Sequence, residues 1–216
     1  MRSDSRYVCR TGGADRTSFT MHGGVAVKKN TTEAQRGRHA RRWLRMSTVA
    51  VASAALVLTT ALPAHATYYS GGMPGTTFNV KYVGVNDTYV HLFNDARSRW
   101  NKTTSTGVSL GRSSSAAASM TAGRYSASWY GLYSPSGVRG INRAFKIQVN
   151  ARTLQRDSGS NFTKWIASTS THELGHGLSL ADNPGTGRAS LMKHSRNRTT
   201  VYAPQAYDIE EVRRIY

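Results

Sequence analysis

His172, Glu173 and His176 stand at the spacing H-E-x-x-H, in the run His172-Glu173-Leu174-Gly175-His176. A helix turns about 100° per residue, so positions i and i+4 return to nearly one face. Two imidazoles placed this way can hold one zinc ion without bending the backbone, because neutral imidazole is a good zinc ligand. Glu173 follows the first imidazole directly and has the reach to take a proton from a metal-activated water. Asp182 stands ten residues after His172, where a third ligand belongs if the helix stops soon after His176. The five-letter pattern fixes only three positions and also arises by chance on solvated helices. Asp182, and Met192 in the loop-like Ser190-Leu191-Met192, favour the metal-site reading over chance.

The helix that must carry these residues reads backwards to Phe162, with Asn161 or Ser160 as its N-cap. Leu174 and Leu178 lie about 200° around from His172 and His176, so one face can enter a core while the other carries ligands. The Ser/Thr-rich stretch Ser168 to Thr171 is poor in helix propensity, and tertiary packing must hold it.

From His172 to Asp182, with Met192 downstream, the chain resembles the metzincin zinc endopeptidases, whose pattern is H-E-x-x-H-x-x-G-x-x-H/D followed by a Met-turn. The aspartate in the last position is similar to the snapalysin-like members. Ala203-Pro204-Gln205-Ala206-Tyr207-Asp208-Ile209 resembles the start of the C-terminal helix in matrixin-like members. The resemblance covers about the last third of the chain. It implies His172, His176 and Asp182 as ligands to Zn²⁺ and Glu173 as general base, with the Met192 thioether as an apolar floor beneath the ligands. It also implies that Asp208 bonds to the Met-turn backbone. His194, two residues beyond Met192, stands where some relatives carry a tyrosine that approaches the metal, and it is the nearest rival to Asp182 as third ligand. The family glycine falls at Ser179, where a serine at positive φ costs roughly 1 kcal/mol.

The flanking chain divides in two. Within residues 1–66, a basic region from Lys28 to Arg45 precedes the mostly apolar run Val49 to Leu62 and then Ala64-His65-Ala66. That order is a secretory signal peptide, and the apolar run is short of the ~18 residues needed to span a bilayer. The expectation is export, cleavage after Ala66, and a secreted catalytic domain of residues 67–216 with no membrane span. The one cysteine, Cys9, lies in the leader, so the remaining domain needs no disulfide and is large enough for a single core. The whole chain carries a formal charge of +18. The basic residues after Thr67 are scattered, which reads first as a solvated surface. The positive sign also allows electrostatic contact with anionic wall polymers. No dedicated nucleic-acid motif is present.

Thr77 to Val85 alternates as a strand, Asn86 caps a turn, and Tyr89 to Trp100 reads as an amphipathic helix. His91 on that helix is assigned no metal role. Gly107 to Gly111 is a short strand, and Arg112 to Gly123, Ser/Ala-rich with little signal, reads as a second weak strand and loop. Tyr125 to Tyr133 is the candidate edge strand above the cleft, because an unpaired edge can take a peptide as an added strand. Ser134-Pro135-Ser136-Gly137 reads as a turn, Phe145 to Asn150 as a secure strand, Ala151 to Gly159 as a connection, and Tyr207 to Tyr216 as a final helix. The fold class expected is α+β: a twisted mixed β-sheet with two packed helices, one carrying the zinc ligands, then the Met-turn and a C-terminal helix.

The function expected is secreted zinc-dependent endopeptidase, a hydrolase of polypeptide substrates. Two rivals stand beside it. One is a zinc hydrolase of another family with Glu210 or Glu211 as third ligand; the other is a non-enzymatic secreted protein bound to anionic wall polymer through its charge.

Overall fold

The computed structural model describes Tyr7–Val8 and residues 67–216, so the expected signal peptide and its cleavage site lie outside the described residues. The strands are β1 (Tyr7–Val8), β2 (Thr77–Tyr82), β3 (Ser109–Arg112), β4 (Ala118–Gly123), β5 (Gly131–Ser136) and β6 (Ala144–Asn150). They form one mixed sheet in the order β1-β5-β6-β4-β2-β3. Strands β3, β2, β4 and β6 run parallel, while β5 is antiparallel to β6 and β1 is antiparallel to β5. With helices packed on it, this is the α+β fold expected from the order of elements.

Helix α1 (Asp87–Asn101) makes the crossover between parallel β2 and β3 that such a pair requires. It starts where Asn86 accepts a hydrogen bond from the Tyr89 amide, and Asp87 meets the positive end of the helix dipole. Leu92, Phe93, Ala96 and Trp100 are buried. They join Phe78, Val80, Met120, Tyr133, Phe145, Ile147 and Val149 from alternating strand positions in one core. His91 is exposed, in keeping with its reading.

Three segments depart from expectation. Strand β5 begins only at Gly131 and runs through Ser134-Pro135-Ser136, the stretch read as a turn. Pro135 pairs with Phe145 on the inner side, while β1 reaches only Leu132 and Tyr133 on the outer side. A proline, which has no N–H to donate, is tolerated on such an edge. The turn falls instead at Gly137, whose φ of 71° suits glycine. Residues read as a connection form helix α2 (Ala151–Ser158), burying Ala151, Leu154 and Ser158 at helical spacing beneath an otherwise polar surface. Finally, residues 1–66 read as lying outside the fold, yet Tyr7–Val8 adds a two-residue strand to the outer edge of β5.

Candidate metal centre

Helix α3 (Phe162–Gly177) carries the H-E-x-x-H residues. Every residue from Ile166 to Gly177 is buried, so this helix is enclosed rather than two-faced. Asn161 is its N-cap position but makes no side-chain cap bond. In its polar middle Ser168 and Thr171 find partners, while the hydroxyls of Thr169 and Ser170 are buried without a hydrogen-bond partner among the described residues. Ser168 Oγ donates to Val201 O at 2.7 Å and accepts from Arg196 Nε at 3.0 Å. Thr171 Oγ1 donates to Ala167 O at 2.7 Å, and Trp100 Nε1 on α1 donates to Thr171 O at 2.8 Å. Each bond offsets the cost of taking a polar group out of water.

The chain leaves the helix through Ser179, at the glycine position of the family pattern, with φ 61°. Its hydroxyl lies 2.5 Å from Arg139 Nη1 and 2.9 Å from Tyr216 Oη, contacts a glycine could not make. They compensate the strained backbone, and the path to Asp182 holds.

The histidine tautomers follow from their outer nitrogens. His172 Nδ1 lies 2.9 Å from Leu191 O, and His176 Nδ1 lies 2.8 Å from Leu180 O. A carbonyl can only accept, so both Nδ1 atoms carry hydrogen and a neutral ring presents a lone pair at Nε2. Those Nε2 atoms are 3.1 Å and 3.5 Å from Asp182 Oδ1. Two lone pairs facing a carboxylate oxygen repel unless a cation or proton lies among them. Tetrahedral zinc with bonds of ~2.0–2.1 Å sets its ligand atoms ~3.3 Å apart. His172, His176 and Asp182 therefore fit that ion in donor type and in spacing, and they are the group of this kind found among the described residues. Burial pushes the His176 imidazole down to about 4, against the pull of Asp182, so the ring is neutral at ordinary pH.

Glu173 is fully buried beside them. The first residue of β5 lies against its carboxylate: a Cβ on Gly131 would stand 2.2 Å from Glu173 Oε1. Gly175 does the same service on another face of α3, since a Cβ there would stand 2.6 Å from the Met192 sulfur. Met192, itself buried, thus presses on the helix between the two histidines.

The loop side is pinned by Asp208, the third residue of helix α4 (Ala206–Ile215). Its carboxylate accepts from Ser190 Oγ at 2.6 Å, the Leu191 amide at 2.8 Å and the Gln205 amide at 2.8 Å. The Leu191 residue thereby gives its N–H to Asp208 and its carbonyl to His172, tying the turn to the ligand. His194 also reaches the site, with Nε2 3.0 Å from Asp182 Oδ1. Glu210 and Glu211 do not. Glu210 is paired with Arg188 at 2.6 and 2.7 Å, and Glu211 is held by Arg214 and Thr67. The alternative third ligand is thereby corrected: helix α4 turns both glutamates to arginines.

Sequence reasoning missed Gly131, Asn183 and the Leu191 carbonyl. A glycine at a strand's start is a known sign of close approach, but nothing local says what approaches. A backbone carbonyl leaves no sequence signal at all.

No known protein family profile and no curated protein matches the sequence. Among solved structures, the chain is similar to one titled the GM1-bound form of the ECX AB5 holotoxin, at 15% identity and TM-score 0.46, over 68% of this chain and 83% of that one. It is also similar to archaemetzincin from Methanopyrus kandleri, at 12% identity and TM-score 0.44, over 65% of this chain and 96% of that one.

Proposed function

We propose that this chain is a zinc-dependent endopeptidase exported from the cell, with His172, His176 and Asp182 holding the ion. The observation that carries the reading is the pair of tautomer-fixed Nε2 atoms facing the Asp182 carboxylate, with Glu173 one residue along the same helix. Zinc in such a site lowers the pKa of a coordinated water and polarises a carbonyl. Glu173 takes the proton of the attacking water and returns it to the leaving amine. Burial beneath Gly131 restricts the orientations of its carboxylate, the Nδ1 protons of His172 and His176 are committed to carbonyls so that Nε2 faces the ion, and burial keeps the His176 ring neutral. The substrate backbone lies extended along the outer edge of β5. That this edge takes an antiparallel strand is supported by its pairing with Tyr7–Val8. Cleavage after Ala66 leaves Thr67 anchored, since its carbonyl accepts from the Ala181 amide at 2.7 Å beside Asp182.

The test is Glu173→Gln on protein recovered from the culture medium, where the chain is expected to begin at Thr67. The unaltered enzyme should hydrolyse an unfolded protein and stop on chelation. The variant should keep one zinc and lose at least about a hundredfold to ten-thousandfold in rate, the usual contribution of a general base. Chelator-resistant proteolysis, or zinc lost together with activity, would overturn the assignment.

A further inference from the structure

His194 stands within reach of the metal site, and its role turns on where its proton lies. Asn183 decides this. The Asn183 Oδ1 accepts the backbone N–H of His194 at 2.7 Å. An amide oxygen placed there leaves the NH₂ end to face the ring, and Asn183 Nδ2 is 3.0 Å from His194 Nδ1. An NH₂ group donates, so His194 Nδ1 must accept, and the proton of the neutral ring sits on Nε2. That is the opposite tautomer from His172 and His176, whose Nδ1 atoms donate to carbonyls. Nε2 of His194 lies 3.0 Å from Asp182 Oδ1. Its N–H therefore lies beside the carboxylate where the other two rings offer lone pairs, in close contact but outside hydrogen-bond geometry.

Asn183 is itself held for this task. It follows Asp182 directly, takes φ 48°, a conformation asparagine tolerates better than most residues, and its amide donates to Met192 O at 2.9 Å. One residue thus joins the two loop segments that bring Asp182 and His194 together.

We propose that His194 is a positioning residue: with its proton fixed on Nε2 by Asn183, it orients the Asp182 carboxylate toward zinc and is not itself a ligand. The role rests on the metal-site reading above. Partners that hold metal ligands in place are worth about 10–100-fold in metal affinity.

The experiment reads tautomers and zinc affinity together on the purified protein. Long-range proton–nitrogen correlation on ¹⁵N-labelled metal-free protein should show His194 protonated at Nε2 and bare at Nδ1, and the same after zinc is added. Asn183→Gly, which keeps the positive φ available, should abolish that tautomer preference. Competition with a zinc chelator should show His194→Ala and Asn183→Gly each weakening zinc about 10–100-fold, with the double variant no weaker than the worse single one. His194→Gln, which keeps an N–H donor, should recover most of the loss. A proton on Nδ1, a His194 Nε2 resonance shifted by direct zinc binding, or unchanged zinc affinity in His194→Ala would each overturn the proposal. Failure of the unaltered chain to bind zinc would sink the metal reading itself, and it is told apart because the tautomer is read without metal.

Discussion

The two halves of the proposed metal site are built in different ways. On the helix half, His172, Glu173 and His176 share one stretch of α3, and their mutual placement follows from the helical repeat alone. On the loop half, Asp182, Met192 and His194 come from irregular backbone, and each is held by bonds to distant residues. Asp208 fixes the turn of Ser190 to Met192, Asn183 bridges to His194, and Ser179 is anchored by Arg139 and Tyr216. The helix half needs packing to exist, and the loop half needs specific hydrogen bonds to have a shape. Damage to each should therefore look different.

The largest effect should come from removing a ligand of either half. His176→Ala and Asp182→Ala should each weaken zinc binding by orders of magnitude, because each leaves two protein ligands where zinc sites have three or four. Equilibrium dialysis against zinc checks this, and retention of tight binding in Asp182→Ala would show that Asp182 is not the third ligand. Asp208→Ala should destabilise the fold by about 3 kcal/mol, since it strands the buried donors of Ser190 and Leu191. A urea titration reads that as a lower midpoint at unchanged slope.

Gly131→Ala tests the roof over the helix half. The new methyl would collide with Glu173 Oε1, and displacement of that carboxylate by about 1 Å is expected to cost on the order of a hundredfold in rate. Zinc stoichiometry should stay at one, and loss of the ion would mean that the ligands had moved as well. The smallest effect belongs to Ser179→Gly. It relieves the strain at φ 61° but gives up the contacts with Arg139 and Tyr216. The terms oppose, and thermal unfolding should change by less than about 1 kcal/mol in either direction.

The unequal legibility of the two halves in the sequence has the same origin. Helix α1 was readable because its apolar residues repeat on one face and Asn86 marks its start. Helix α2 was not, because four buried positions, only two of them apolar, among charged neighbours give a weak pattern over eight residues. In β5 the proline argued for a turn, and only the short reach of its outer neighbour makes it acceptable there. For α3 the position was legible while the enclosure was not: Ser168 and Thr171 look like surface residues until Val201, Arg196 and Trp100 supply their partners.

The sequence by itself determined the helix half of the site, because a helix converts spacing directly into geometry and His172, Glu173 and His176 needed nothing more. Through the spacing of Asp182 it also indicated a third ligand, and through the family resemblance a turn at Met192 beneath the proposed ligands. Only the tertiary structure decided which nitrogens carry protons, that Gly131 lies on Glu173, and that Asn183 sets the tautomer of His194. Those are matters of hydrogen-bond direction between backbone and side chains far apart in the chain. No residue type encodes them until the fold has brought both partners within about 3 Å.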